Sequence, residues 1–286
     1  MQLAKRDTFG LFSRRRVLAL AGGAAVSAAA GQAFADSEDS GDDGENSIPG
    51  AVTAPQTRID LSRWKLTLPV NDKGRVKGGG DAAEVKSLPG FALPPYFVVT
   101  PQAVKLMAPV GAVTTSGSHY PRCELRELNA GGDLAEWNVS QGGLLQASLS
   151  VDEVPTDTAG HPGRIVIGQI HGPNDELCRL YYDAGVMYFI DDKAGEASKE
   201  TQFLLRSADN QLTQIPLGAK FSYLIRVSPG NLTVSVSYVG RIYSAHEMIG
   251  SFWDSKKLYF KAGVYVQLKT GAGQGAVTLT SLSATH

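Results

Sequence analysis

The 286-residue chain carries 27 basic and 28 acidic residues, a formal charge of −1, and only 19% of its residues are charged. A balance so close to zero excludes binding a polyanion by bulk charge, so any anionic ligand must be held by a local cluster. The two cysteines, Cys123 and Cys178, show no spacing with histidine that resembles a zinc site.

Ser13-Arg14-Arg15-Arg16-Val17-Leu18 is a twin-arginine-type pattern. An Ala/Gly/Val-rich stretch follows to Ala30, and Ala33-Phe34-Ala35 fits the small-x-small cleavage rule. Residues 1–35 are therefore expected to be an export signal of the twin-arginine type, with an ordinary Sec signal or an uncleaved anchor as alternatives. The expected destination is the periplasm or the medium. Residues 36–57 read as a disordered acidic spacer, because Asp36, Glu38, Asp39, Asp42, Asp43 and Glu45 crowd its start among Ser and Gly. Export permits a disulfide between Cys123 and Cys178, but sequence does not place their Cα atoms within bonding range.

Residues 58–286 read as one domain, near neutral, with no apolar run approaching the roughly 18 residues of a membrane span. Strand-like runs recur between Gly, Pro, Asn and Asp: 64–68, 96–100, 103–108, 122–128, 144–151, 164–171, 180–190, 221–227, 232–239, 258–268 and 276–282. Ser228-Pro229-Gly230-Asn231 is a turn that pairs its flanking runs as a hairpin. Short helical pieces are expected at 60–64, 81–87 and 245–252. Many short strands in a long domain with few helices predict an all-β fold, a two-sheet sandwich of jelly-roll type, with an up-and-down barrel as the alternative.

Three of these strands carry unusual polar faces. In Arg122-Cys123-Glu124-Leu125-Arg126 period-two alternation puts Arg122, Glu124 and Arg126 on one face, with the two arginines about 7 Å either side of the carboxylate, which is expected to hold both guanidinium groups. In Gln169-Ile170-His171 the glutamine and histidine share a face. In Tyr259-Phe260-Lys261-Ala262-Gly263-Val264-Tyr265-Val266-Gln267 the odd positions line up two phenols, an ammonium and an amide around a glycine. Singly, each has an ordinary reading as a solvated strand face or a structural histidine. Together they supply a base, an acid and several donors for an anion. The chain has no Glu-x-Asp-x-Glu strand of a retaining glycosidase, no Gly-x-Ser-x-Gly elbow, no phosphate loop and no dinucleotide fingerprint. The inventory suits proton abstraction beside a carboxylate. A proton on the carbon beside a carboxylate is too weakly acidic to leave while the carboxylate keeps its full charge, and one donor placed on that developing charge contributes roughly 3 kcal/mol.

Arg-Cys-Glu-Leu-Arg, Gln-Ile-His and Tyr-Phe-Lys-Ala-Gly-Val-Tyr-Val-Gln, in that order, resemble the three signature strands of the alginate lyases of polysaccharide lyase family seven. Trp64-Lys65-Leu66-Thr67-Leu68-Pro69 resembles the family's N-terminal strand, and the similarity runs from about Ile59 to the C-terminus. One departure is Cys123, where the family usually has Ser or Thr; by alternation it faces away from the groove. The resemblance implies a concanavalin-like jelly roll with a groove across its concave sheet, and β-elimination of a uronic acid polymer. By motif position Arg122 and Gln169 would bind the substrate carboxylate, and His171 and Tyr265 would transfer protons. Glu124, Arg126, Tyr259, Lys261 and Gln267 would bind the chain and orient the others. Ile170, in place of valine, is associated there with guluronate-containing chains. No metal or other cofactor is implied. The expected partner is alginate, with no nucleic acid and no membrane after processing, and the protein is taken as a monomer. A lyase on another uronan such as glucuronan, and a non-catalytic carbohydrate-binding jelly roll, are the competing readings. Trp64, Trp137 and Trp253 lie outside the three groove strands, which weighs against recognition by stacking.

Overall fold

Alternating sequences need a partner sheet for their apolar side, and the chain solves this with two large antiparallel sheets. The computed structural model describes residues 48–195 and 199–286. Its strands are β1 (Val52–Thr53), β2 (Trp64–Thr67), β3 (Glu84–Val85), β4 (Phe91–Ala92), β5 (Phe97–Val99), β6 (Val104–Pro109), β7 (Arg122–Glu127), β8 (Gly143–Glu153) and β9 (Ile165–His171). They continue with β10 (Glu176–Asp183), β11 (Val186–Gly195), β12 (Lys199–Leu204), β13 (Lys220–Ser228), β14 (Asn231–Tyr238), β15 (Arg241–Met248), β16 (Tyr259–Val266) and β17 (Gln274–Thr285). One sheet has the order β12-β11-β10-β9-β16-β7-β2-β3, the other β15-β14-β13-β8-β17-β6-β5. β1 and β4 form a small third sheet. The two large sheets stack as the expected sandwich, and the barrel alternative is set aside.

The core lies between them. Leu66, Leu125, Ile170, Leu180, Phe189, Phe260 and Val264 point inward from the eight-stranded sheet. Leu106, Leu145, Leu149, Ile225, Val234, Val277 and Leu279 meet them from the other. Each such side chain is shut off from water, which stabilises the fold by about 1.5–3 kcal/mol apiece before chain entropy is set against it. Because antiparallel sheets need cover on one face only, the outer face of the eight-stranded sheet is free to be polar.

Three expectations for strands and helices are corrected, and the open question of the cysteine pair is answered. The run 180–190 is not one strand but the hairpin of β10 and β11, turned through Ala184 and Gly185, both at positive φ (48° and 88°). This mirror-image turn matches the strand twist, but it is marked by an alanine where asparagine is the usual signal. A Cβ on Gly185 would also meet the Ile215 carbonyl oxygen at 2.9 Å. Residues 81–87 hold β3, a strand zipped onto β2, rather than a helix. The helical spacing within 245–252 yields to β15, which pairs with β14 along its whole length; only Ser251–Trp253 then makes a single 3-10 turn. Both cysteines are free and buried. Cys123 on β7 and Cys178 on β10 are separated in the sheet by β16 and β9, about 14 Å at the usual strand spacing, well beyond disulfide reach. The expected piece at 60–64 is present as a 3-10 turn, Leu61–Arg63, capped by Asp60 accepting from the Ser62 amide at 3.1 Å. The expected signal and residues 36–47 of the spacer lie outside the described residues; residues 48–57 are not the expected disordered chain, because Ile48 is buried and β1 pairs with β4.

Bulges shape the polar face. Between β9 and β10 the register passes from Leu180↔Gly168 to Tyr181↔Val166, leaving Ile167 extra, and from Glu176↔His171 to Cys178↔Ile170, leaving Leu177 extra. The Ile167 carbonyl accepts the Tyr223 hydroxyl from the other sheet at 3.1 Å. Gly168 makes room for that phenol: a Cβ there would lie 2.8 Å from its oxygen.

Candidate active site

Cross-strand register sets the polar side chains in rows across the outer face of the eight-stranded sheet. One row reads Lys65, Arg126, Lys261, Gln169, Arg179. On one side of it lies Tyr259–His171–Glu176, and on the other Arg122–Tyr265–Val166–Tyr181–Tyr188. Thr67, Glu124 and Gly263 fall between the long row and the Arg122 row. Gly263 sits at φ +141°, and a Cβ there would come within 2.6 Å of the Cys123 carbonyl oxygen, so the glycine lets β16 close onto β7.

Glu124 is the hub. It is 1% exposed, and its Oε2 accepts from Arg122 Nη1 at 2.9 Å and from Lys261 Nζ at 2.8 Å. Its Oε1 accepts from the Gln169 amide nitrogen. Burial alone would raise its pKa, but the Lys261 and Arg122 cations outweigh burial and hold the carboxyl below its usual range. Burial, with Arg122 alongside, brings Lys261 down to about 8 despite Glu124. Glu124 is therefore shut off from solvent, and it anchors Arg122, Lys261 and Gln169. The expectation that it clamps both arginines is corrected: Arg126 instead lies over the Tyr259 ring, 3.7 Å from guanidinium carbon to ring centre. One carboxylate shared by two cations leaves the centre of the face net positive.

Arg122 also fixes Tyr265. Its guanidinium lies 3.8 Å over the phenol ring, and its Nη2 donates to Ser118 Oγ at 3.1 Å. That hydroxyl is 3.0 Å from Tyr265 Oη. Tyr120 closes the far side, edge-on to Tyr265 with ring centres 6.1 Å apart.

His171 stacks on Tyr259 with ring centres 5.1 Å apart and 13° between planes. Its Nδ1 meets the Gly172 carbonyl, which can only accept, so Nδ1 carries the proton and Nε2 the lone pair. Burial, followed by the Lys261 cation, lowers the imidazole pKa to about 4, so at neutral pH the ring is an uncharged base.

The nine residues expected from sequence share this face. Gln267, past the end of β16, lies at its rim and accepts from Tyr181 Oη at 3.4 Å. Further residues join that sequence reading missed. Lys65 pairs with Glu84 at 2.7 Å on the β2 side. On the β10–β11 side Arg179 bonds Asp192 and Glu200, Tyr181 stacks on Tyr188 at 5.0 Å, and Arg164 donates to Tyr188 Oη at 2.8 Å. A strict period of two from Glu176 would group it with Cys178 and Leu180; the bulge at Leu177 groups it with Arg179 and Tyr181 instead.

The sequence model of the alginate lyase family matches residues 59–286. The chain belongs to the alginate lyase family. An alginate lyase of Klebsiella pneumoniae is 33% identical over 291 residues, covering 84% of this chain and 94% of the relative. The crystal structure of the alginate lyase from Klebsiella pneumoniae matches with a TM-score of 0.68 at 31% identity, over 80% of this lyase and 96% of that chain. Alginate lyase PA1167 from Pseudomonas aeruginosa matches at 0.64 and 28% identity, over 79% and 99%. A family 7 alginate lyase, A1-II′, was solved with a histidine replaced by asparagine and a tyrosine by phenylalanine, in complex with its substrate GGMG; it matches at 0.63 and 28% identity, over 82% and 97%. The protein is thus an alginate lyase, a polysaccharide lyase with the jelly-roll architecture of its relatives.

Proposed function

We propose that this lyase cleaves the 1,4-bond of alginate by β-elimination on the outer face of the eight-stranded sheet, leaving a 4,5-unsaturated uronate at the new non-reducing end. One observation carries the reading: a positive cluster of Arg122, Lys261 and Gln169 around buried Glu124, flanked by a neutral histidine on one side and a phenol on the other. Arg122 and the second N–H of Gln169 take the substrate carboxylate and stabilise the charge that builds on it as C5 loses its proton. His171 Nε2 removes that proton, and Tyr265 protonates the departing O4. Arg122 Nε and Arg126 Nε are buried donors with no acceptor among the described residues. The related lyase solved with substrate carries replacements of a histidine and a tyrosine, the pair of residue types assigned here.

His171 and Tyr265 stand on opposite sides of the Lys261–Gln169 row. That arrangement favours an anti elimination, with base and acid on opposite faces of the sugar ring, and hence guluronate-containing chains. Ile170 is fully buried and turned into the core, so its influence on that preference runs through packing. Export through the twin-arginine route completes the proposal. The test is to give purified protein separate polyguluronate and polymannuronate blocks and follow the near-ultraviolet absorbance of unsaturated ends. A faster rise on polyguluronate is expected. No rise on any alginate defeats the reading, and a faster rise on polymannuronate defeats the guluronate preference.

A further inference from the structure

β10 opens on Glu176, the cross-strand partner of His171. Glu176 Oε1 lies 3.3 Å from His171 Nε2, and both side chains are about one-fifth exposed, at 21% and 19%. With Nδ1 committed to the Gly172 carbonyl, Nε2 presents a lone pair to that oxygen. A lone pair facing a carboxylate oxygen at this distance repels unless a proton lies between them. We propose that Glu176 and His171 hold one proton in common in the resting enzyme, and that Glu176 is a positioning residue that sets when His171 is free to act as base. The inference rests on His171 being that base.

The shared proton gives O–H···N or O⁻···H–N⁺, forms of equal net charge, and neither leaves Nε2 free. Loss of the proton to water yields neutral imidazole beside a carboxylate, the form that can act. The C5–H bond then breaks as Nε2–H forms. The electron pair becomes the C4–C5 double bond as C4–O4 breaks, and O4 takes the Tyr265 proton. The new imidazolium is stabilised by the adjacent carboxylate, which passes the proton to water, while the Tyr265 phenolate regains one from water.

The surroundings agree. Lys261 and Tyr259 on β16, Arg122 and Glu124 on β7, Arg179 on β10 and Asp192 on β11 face the pair. Burial and then Lys261 make the imidazole a poor holder of charge. Burial and then Asp192, whose Oδ2 also takes the Glu176 backbone N–H at 2.9 Å, raise Glu176 to about 7. Glu176 therefore keeps its proton up to near neutrality, and His171 Nε2 at 3.3 Å is an acceptor for it.

The experiment compares E176Q and E176A with wild type by the pH dependence of kcat/KM on alginate, using the full chain. The acid limb is expected to move down by about one pH unit or more in both, because no shared proton remains to be shed. Histidine-labelled ¹⁵N spectra give a readout that does not need activity: the His171 Nε2 resonance should sense a titration near neutrality in wild type and lose it in E176Q. An acid limb that stays in place while the rate falls equally at every pH, or an Nε2 titration unchanged in E176Q, overturns the proposal. His171→Ala separates the two levels. If it retains wild-type turnover, the base assignment itself fails; if it is inactive while E176Q leaves the limb unmoved, only the role of Glu176 fails.

Discussion

The eight-stranded sheet packs against buried carboxylates on both faces, and their pKa values end up shifted in opposite directions. On the outer face Glu124 is surrounded by Arg122, Lys261 and Gln169 and stays ionised. On the inner face Asp191 of β11 lies beside Glu247 of β15, and neither makes an ion pair among the described residues; burial drives Asp191 up to about 6 and Glu247 up to about 9. Desolvation pushes all three carboxyls the same way. What decides the outcome is whether a cation has been folded in next to them. The outer site keeps its charge because two cations are folded in beside it, and the inner site, with none, keeps a proton on Glu247.

The comparison breaks most visibly if the outer anion is removed. Glu124→Ala leaves Arg122 and Lys261 buried together without compensation, which should cost about 3–5 kcal/mol of stability and abolish turnover. Denaturant unfolding and the absorbance assay check both. A variant that unfolds like wild type would mean the cations are solvated and the hub is not a hub. His171→Ala and Tyr265→Phe come next. Each should lower kcat by about 10²–10⁴-fold with the fold intact, because each deletes one proton transfer. Near-native rates in both would remove the chemistry from this face. Arg122→Lys should be milder, about a hundredfold in kcat/KM. An ammonium keeps the charge but loses the planar stack on Tyr265 and the link to Ser118, so the phenol is no longer aimed.

How much of this could be read beforehand depended on where period two survives. β7 and β16 pair residue for residue, so period two alone puts Arg122, Glu124, Arg126, Tyr259, Lys261 and Tyr265 on one face. What Glu124 actually holds was not legible, because its partners Lys261 and Gln169 come from strands far apart in the chain. On β9 and β10 the bulges at Ile167 and Leu177 reset the alternation, which hid Val166, Glu176, Arg179 and Tyr181 from any count by twos. The hairpin at Ala184–Gly185 is hidden for a related reason: its alanine gives no turn signal, and the apolar run continues through it. Registry between strands is a tertiary property, and it carries the half of the site that single-strand patterning cannot show.

The smallest expected effect tests the inner site. Glu247 has a folded-state pKa raised from 4.5 to about 9, so the folded protein binds a proton there that the unfolded chain has released across that interval. Its contribution to stability is therefore complete below about pH 4.5 and is lost as pH rises through about 9. Glu124 has the opposite sign: its folded pKa lies below 4.5, so its contribution is present above that value and fades as pH falls through the folded one. Glu247→Gln keeps the shape of the protonated acid but cannot ionise. Its Tm should match wild type near pH 5 and exceed it by a few degrees at pH 9, with kcat on alginate unchanged because Glu247 lies on the seven-stranded sheet, away from the groove. An equal Tm at both pH values would mean that Glu247 is already charged in the folded state, and that burial without a cation does not neutralise a carboxyl in this fold.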